Sequence, residues 1–168
     1  MDSLKWYAVY VRSRFEKKVH MQLVQKQIES YLPLVEEIRV WSDRKKKVHE
    51  PLFRGYVFVK FDLRERLKVL RTEGLVRLVG NQDRPSPIHD DEIEWIRRVL
   101  GDPTLAKDLR REELPVPGKR VEIVAGPLRG VRGTISQIRG RARFVIEVEA
   151  IARAFSVEVP PEFLRETH

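Results

Sequence analysis

The sequence predicts a protein of two parts, an α+β sandwich followed by a small all-β barrel. Up to Gly101, the spacing of apolar residues follows the order β-α-β-β-α-β-α; after Pro117 it becomes that of short strands separated by glycines. The charged segment between them closes with Pro115-Val116-Pro117, and prolines stop a helix from continuing. We therefore expect domains at residues 1–101 and 117–168, joined by a linker at 102–116.

The first part begins with a strand and a helix. In residues 4–11 both alternating faces are largely apolar, which is typical of a strand buried on two sides. In residues 14–30 the spacing becomes helical, with Phe15, Val19 and Leu23 four residues apart. This pattern predicts an amphipathic helix whose apolar stripe faces the sheet.

A hairpin and a strongly apolar strand follow. Residues 32–41 are extended in character, and the charged residues 42–47 are typical of a hairpin tip. In the next strand Tyr56 and Phe58 point to one face, whereas Val57 and Val59 point to the other. A strand that is apolar on both faces either lies between two layers or presents one face to a partner.

Two helices and one strand complete the first part. Residues 62–72 predict a short helix with Leu67 and Leu70 inward, and residues 75–79 predict a strand. Pro85-Ser86-Pro87 then breaks the chain, and Asp90-Asp91-Glu92 begins a last helix, since acidic residues stabilise the first turn. The residues of this helix expected to face the core are Ile93, Ile96 and Leu100.

The second part contains the pattern of four or five short strands. Apolar residues alternate around 121–123, 131–138, 144–151 and 155–159, with glycines and prolines between them. So many short strands in so little chain favour a closed barrel, which leaves no exposed edges. Val145, Ile146 and Val148 also argue against a helical alternative.

Composition favours a polyanionic partner and offers no sign of an enzyme. The net charge is +8 and the pI is about 9.9, with most of the excess in residues 1–101. The sequence has no cysteine, no phosphate-binding glycine loop and no serine nucleophile motif. The four histidines, His20, His49, His89 and His168, lack metal-ligand spacing. We expect no catalysis, cofactor or metal and, without a signal peptide or membrane span, a cytoplasmic protein.

One glycine-rich segment is more specific. Between Gly118 and Ile135, two strands flank a turn with glycines at 126, 130 and 133. A generic hairpin needs fewer glycines than Gly-Pro-x-x-Gly-x-x-Gly supplies. The segment resembles the KOW motif of NusG-type transcription factors and of several ribosomal proteins.

The first part extends this resemblance to nearly the whole chain. Lys5-Trp6-Tyr7-Ala8-Val9, residues 51–59, and Asp83–Ile88 followed by Glu92 occur in the order and spacing of the NusG N-terminal (NGN) domain. The chain is therefore identified as a member of the NusG family. The resemblance implies an α+β NGN domain with an antiparallel sheet and helices, followed by a small, SH3-like KOW barrel.

Two details separate the chain from an average member of this family. Glu50-Pro51-Leu52-Phe53 and the short linker look more like specialised paralogues of the RfaH kind. Arg54 is a departure, since the family usually has proline at this position; it adds a positive charge beside the aromatic segment.

The resemblance implies a role in transcription elongation and antitermination. Such factors bind the clamp helices of the large RNA polymerase subunit through an exposed apolar pocket. They suppress pausing and promote processive transcription, for the specialised paralogues at particular operons. The positions that match the pocket are Tyr10, Phe53, Tyr56 and Phe58. These aromatics are also compatible with an ordinary core.

Two basic clusters match segments that contact the transcribing complex in RfaH-like paralogues. The first, where those paralogues contact non-template DNA, is Arg12, Arg14, Lys17 and Lys18. The second, near another wall of the polymerase channel, is Arg64, Arg66, Lys68 and Arg71. A solvated surface explains either cluster equally well. We expect no aromatic ring to lie among these cations, so phosphate contact is predicted instead of base stacking.

The KOW part implies a second partner. In the family it recruits ribosomal protein S-ten or the termination factor Rho, and the positions that match are Leu128, Arg129, Ile151, Ala152 and Arg153. We expect a monomer. Two alternatives stay open: a housekeeping NusG that assists Rho-dependent termination, and a KOW-type ribosomal or RNA-binding protein that needs no aromatic pocket.

Overall fold

The chain divides into two units between Asp90 and Asp91. The computed structural model describes residues 3–81, 84–138 and 141–167, so Asp83 of the family motif and His168 lie outside the described residues. The helices and strands of the first unit are β1 (Lys5–Val11), α1 (Glu16–Gln25), β2 (Glu29–Tyr31), β3 (Leu34–Trp41), β4 (Arg44–Pro51), β5 (Tyr56–Phe61), α2 (Arg66–Leu70) and β6 (Leu75–Leu78).

Four of these strands form an antiparallel sheet in the order β2-β5-β1-β6. The central pair, β1 and β5, runs from Lys5 opposite Phe61 to Tyr10 opposite Tyr56. Residues from both faces of β5 are fully buried, which agrees with the apolar character of its two faces. The core on one side of the sheet contains Tyr7, Val9, Val11, Val57, Val59 and Phe61 together with Val19 and Leu23 of α1. β3 and β4 form a separate two-stranded sheet.

Three expectations about the first unit needed correction. The pattern predicts two strands between the first two helices, whereas the structure has four, β2 to β5. The first helix ends at Gln25, because Gln27 adopts a left-handed φ of +62° and the chain then enters β2. Leu67 was expected inward but is 63% exposed, whereas Val69 is buried. The α-helix begins only at Arg66 and has five residues, so a single turn determines which side faces the core. The amine of Lys26 donates a hydrogen bond to the Lys68 carbonyl at 3.1 Å, so one of the last carbonyls of α2 is satisfied.

The second unit is rich in β-structure. Its elements are α3 (Asp90–Leu100), α4 (Pro103–Lys107), β7 (Arg110–Glu112), β8 (Lys119–Ile123), β9 (Arg132–Ile138), β10 (Arg141–Val148), β11 (Arg153–Val157) and β12 (Leu164–Glu166). The strands form one antiparallel sheet in the order β12-β8-β9-β10-β11-β7. An α+β part followed by a sheet-rich part confirms the predicted fold class. In α3 the last core residue is Val99, one position before the expected Leu100.

The segment expected as a linker, 102–116, contains regular structure. Asp102 caps α4 by accepting the N–H of Thr104 at 2.9 Å. β7 then adds to the edge of the sheet, with Arg111 opposite Phe155 of β11. The domain limits 1–101 and 117–168 stay a prediction. No helix in the described part of the chain is long and apolar enough to cross a membrane.

A buried arginine fixes part of this segment in the second unit. Arg143 of β10 is 1% exposed; its Nε donates to Ser156 Oγ at 2.8 Å and its Nη2 to the carbonyls of Ser156 and Asp108. Ser156 Oγ in turn donates to Glu112 at 2.5 Å. Burial lowers the pKa of Arg143, and repulsion from the nearby Arg110 cation lowers it further. An arginine stays protonated in proteins, so Arg143 is a buried cation satisfied by several oxygens.

Candidate functional site

An exposed row of two tyrosines and one arginine crosses three strands of the first sheet. Tyr56 of β5 lies opposite Tyr10 of β1, which lies opposite Arg77 of β6. The two tyrosine rings meet edge to face with centroids 5.6 Å apart, and the Arg77 guanidinium lies 5.5 Å from the centre of the Tyr10 ring. Tyr10 is 39% exposed and Tyr56 is partly exposed. We call Tyr56, Tyr10 and Arg77 the tyrosine row.

The other two residues of the predicted pocket lie beneath the surface. Phe53 is 4% exposed and Phe58 is fully buried. The Phe53 ring meets Phe58 edge-on at 6.0 Å, and Tyr31 of β2 stacks on Phe58 at 6.4 Å. Phe58 has room for its ring because it lies in a central strand opposite Ala8. Of these four residues, the two tyrosines are therefore the exposed ones, whereas Phe53 and Phe58 pack behind them.

The turn before β5 is held against Tyr10. Gly55 has a φ of +89°, and a Cβ there would lie 3.2 Å from Cε2 of the Tyr10 ring, so the turn requires glycine. The Gly55 N–H donates to Glu16 Oε2 at 3.0 Å, and its carbonyl accepts the N–H of Val11 at 2.8 Å. Glu16 is 6% exposed, so this carboxylate is a buried acceptor for the turn.

Sequence reasoning missed both Glu16 and Arg77. An acidic residue in the first turn of a helix is common, and nothing in its local spacing marks Glu16 as buried. Arg77 becomes visible only once the register places it beside Tyr10. Arg54, the departure from the family pattern, is exposed between the buried Phe53 and Gly55. Within the described residues, the Arg54 side chain forms no ion pair.

The first basic cluster is exposed as expected but contains an aromatic ring. The Arg12 guanidinium and the Lys18 amine lie 5.1 and 5.2 Å from the centre of the Phe15 ring. The ring also packs on Gly74, where a Cβ would lie only 2.2 Å from it. The expectation that no aromatic lies among these cations is therefore wrong. Because the ring already contacts two cations and Gly74, phosphate contact stays the prediction for Arg12, Arg14, Lys17 and Lys18.

The second basic cluster is exposed as well, and its Arg64 is paired with an acidic residue. Arg64 Nη2 lies 2.7 Å from Asp62 Oδ2, and Asp62 Oδ1 accepts the Arg64 N–H at 2.9 Å. Hydrogen bonds from Arg64 hold the pKa of the Asp62 carboxyl below its usual range. The other three, Arg66, Lys68 and Arg71, lie on the exposed side of α2 and just beyond it.

The predicted partner-binding residues of the second unit divide by polarity. Leu128 and Ile151 are 2% and 4% exposed, whereas Arg129, Ala152 and Arg153 are exposed. The turn folds back through a hydrogen bond from the Val131 N–H to the Leu128 carbonyl at 3.0 Å, so Leu128 belongs to the core. The Arg129 carbonyl accepts a hydrogen bond from Arg98 of α3 at 3.2 Å. Only charged and small side chains are therefore presented here.

Within the residues that the structure describes, no group of three His, Asp or Glu side chains is placed to hold a metal ion. The arrangement is that of a surface: an aromatic row with a cation at its end, and basic residues on neighbouring elements.

Comparison with known proteins bears on the family and the fold of the chain. Residues 4–97 match the family model described as NusG, transcription termination factor nusG. The transcription termination/antitermination protein NusG of Borreliella burgdorferi is 28% identical over 178 residues, covering 94% of this chain and 95% of its own. That of Thermus thermophilus is 29% identical over 187 residues, covering 95% of each. A solved structure of Thermotoga maritima NusG superimposes with a TM-score of 0.57 at 24% identity, covering 98% of both chains, and shows a common fold.

Proposed function

Because the chain belongs to the NusG family of transcription factors, we propose that its tyrosine row binds RNA polymerase at the clamp helices of the large subunit. Binding there holds the polymerase in its processive state, suppresses pausing and promotes elongation. The observation that carries this proposal is the exposure of Tyr10 and Tyr56, side by side, on the two central strands of the sheet.

The chemistry of the row indicates what kind of surface it fits. Tyrosine rings are effective interface anchors because they bury a large apolar area and keep a polar end. Arg77 at one end and Arg54 on the adjacent turn add two positive charges. A helical partner with apolar residues flanked by carboxylates complements this surface.

The basic residues at the start of α1 extend the proposal to DNA. Arg12, Arg14 and Lys17 are exposed. Lys18 forms an ion pair with Glu73, with Nζ 3.3 Å from Oε1. In the proposed complex they contact phosphates of the non-template strand, so this part of the affinity falls steeply with salt. The second cluster, at α2, contributes less because Arg64 is already paired with Asp62.

For the second unit we propose recruitment of ribosomal protein S-ten or Rho. Since Leu128 and Ile151 are buried, Arg129 and Arg153 are left to make the contact, which favours an acidic partner surface. A specialised role at particular operons rests on the resemblance of Glu50–Phe53 and of the short linker to the specialised paralogues. A general role, including help to Rho, is the second candidate, because the matched relatives carry the name termination/antitermination protein.

The test of polymerase binding compares exposed residues of one sheet. Tyr56→Ala and Tyr10→Ala are expected to weaken co-purification with the host RNA polymerase at least about tenfold, as for interface anchors elsewhere. Val76→Ala is the matched control, because Val76 is 50% exposed and next to Arg77 in β6. Unchanged association of both tyrosine variants, with intact circular dichroism, would refute the assignment.

Transcription in vitro separates the two candidate roles. On a pausing template with the host polymerase, the protein is expected to shorten pauses, and Tyr56→Ala is expected to remove the effect. Adding Rho then distinguishes them: increased Rho-dependent termination in the presence of this protein favours the general role, and protection from termination favours the specialised one.

A further inference from the structure

The tip of the β3–β4 hairpin exposes apolar residues among cations. Trp41 is 61% exposed, and Ile38 and Val40 are 63% and 71% exposed. Between Ile38 and Lys47 there are five basic residues and one acidic residue, Asp43. We call residues 38–47 the hairpin tip. An exposed tryptophan in this setting needs an explanation, because it contributes nothing to the core.

The register of the hairpin sorts these residues onto two faces. Trp41 lies directly opposite Arg44, and Arg39 lies opposite Lys46. Directly opposed residues of antiparallel strands share a face, and so do residues two apart along one strand. One face therefore carries the tryptophan with three cations, and we call it the tryptophan face. The other face carries Ile38 and Val40 opposite Lys47 and Lys45.

Most of the cations nearest the tryptophan have no acidic partner. Within the described residues, Arg44, Lys45 and Lys46 form no ion pair. Farther from the turn, Arg39 is 3.1 Å from Glu50, and Lys47 is 3.6 Å from Glu36. Positive charge is thus least compensated beside Trp41.

We propose that the tryptophan face binds single-stranded nucleic acid, with Trp41 stacking on an unpaired base and Arg44 and Lys46 contacting the flanking phosphates. An exposed indole beside cations is the combination that binds single strands without sequence preference, because every base offers a π-face. A β-hairpin can also enter the major groove of a duplex, but paired bases leave no free face for the indole. The site is separate from the tyrosine row and from the cations of α1, and it does not depend on the polymerase-binding proposal.

The test measures the binding of labelled oligonucleotides to the full chain by fluorescence anisotropy, without polymerase. The probes are oligothymidylate and oligouridylate of about twelve nucleotides, within the usual site sizes, and a DNA duplex of equal length. We expect a single strand to bind more tightly than the duplex, and the better of the two probes identifies DNA or RNA as the ligand. Trp41→Ala is expected to weaken this binding at least about fivefold, the lower end of one lost stacking contact. Trp41→Phe is expected to restore most of it.

Matched variants separate the tryptophan face from its surroundings. Val40→Ala changes a neighbour on the opposite face that is at least as exposed as Trp41, and it is expected to leave binding unchanged. Lys46→Ala is expected to weaken binding and to flatten its salt dependence by about 0.7 in logarithmic slope, one phosphate contact on a single strand. Equal loss in Val40→Ala and Trp41→Ala, equal affinity for the duplex, or the absence of binding at low salt would each overturn the proposal. The proposal would also be overturned if Lys17→Glu/Lys18→Glu lost binding while Trp41→Ala and Lys46→Ala kept it, because the site would then lie at α1.

Discussion

Among the described residues, each unit buries one charged side chain, and the two side chains have different kinds of partner. In the first unit, the Glu16 carboxylate accepts one hydrogen bond, from the Gly55 N–H at 3.0 Å, at the turn that touches Tyr10. In the second unit, Arg143 reaches Ser156, Asp108 and Glu158 at once. Glu16 thus shapes one turn beside a surface, whereas Arg143 connects a strand, a neighbouring strand and the segment before β7.

From this difference we expect the two units to respond differently when the buried charged side chain is removed. A carboxylate with one backbone partner affects local geometry more than global stability. A buried cation with several partners becomes costly when it is removed, because each partner is left in a buried, unsatisfied state. The surfaces of the two units also differ. The first unit exposes tyrosines at its candidate site, whereas the second exposes arginines and buries Leu128 and Ile151.

The largest effect is expected from Arg143→Ala. The substitution leaves Ser156 and the Asp108 carbonyl without their donor, so the free energy of unfolding of the second unit should fall by about 3–5 kcal/mol. Chemical denaturation, with hydrogen exchange of β10 amides, measures the loss. Arg165→Ala is the matched control: its 2.7 Å pair with Glu122 is 68% exposed on the arginine side, and a loss below about 1 kcal/mol is expected. Similar losses in both variants would mean that burial does not distinguish these arginines.

Glu16→Ala should have a smaller effect on stability and a specific effect on binding. Removing the acceptor of the Gly55 N–H should cost about 1–3 kcal/mol in the first unit. Since the turn then loses its position against Tyr10, association with RNA polymerase should weaken as well. Glu16→Gln keeps an acceptor oxygen and should retain most of both properties; Glu29→Ala, at an exposed site in β2, is the control. Reduced stability with unchanged association would show that the turn does not shape the binding surface.

Arg54→Ala should alter binding with little change in stability. Arg54 is exposed and without an ion pair among the described residues, so a stability change within about 0.5 kcal/mol is expected. If its charge faces an acidic partner, association should fall by about two- to fivefold and the difference should shrink as salt rises. Arg54→Lys keeps the charge and should behave like the original protein. A salt-independent loss would instead point to the shape of the turn.

The sequence was sufficient for the family and for the order of the helices, but it did not predict β2 or the division of residues 44–61 into β4 and β5. Helical spacing located α1, and double-sided apolar character located β1 and β5, because both patterns reflect burial directly. It was insufficient where one position decides a face. Leu67 and Val69 differ by two residues in a single-turn helix, and periodicity cannot fix the phase of so short an element.

The candidate site was predictable in part for the same reason. Alternation placed Tyr56 and Phe58 on one face, and they do share it, but it could not show that Tyr31 and Phe53 cover Phe58. Contacts between distant segments, such as Glu16 with Gly55 or Arg77 with Tyr10, depend on register and have no local pattern. The regular structure at 103–112 was missed because its anchor, Arg143, lies more than thirty residues away.

The smallest effect expected is a pH dependence confined to the first unit. Burial lowers the pKa of His20, whose Nδ1 lies 2.8 Å from Ser30 Oγ. The unfolded chain, in which His20 has its ordinary pKa near 6.5, therefore takes up a proton at a higher pH than the folded chain does. Stability is complete above that pH and decreases as the pH falls towards the lower folded pKa.

Between pH 7.5 and 5.5 this should lower the melting temperature of the first unit by an amount on the order of 1 °C, and His20→Gln should abolish the decrease. His49→Gln is the control, because His49 is exposed, 3.8 Å from Glu36. The described residues of the second unit contain no histidine, and Arg143 stays charged in this range, so its hydrogen exchange should show no corresponding change beyond the intrinsic effect of pH. An equal loss in both units would assign the pH dependence to carboxylates and not to His20.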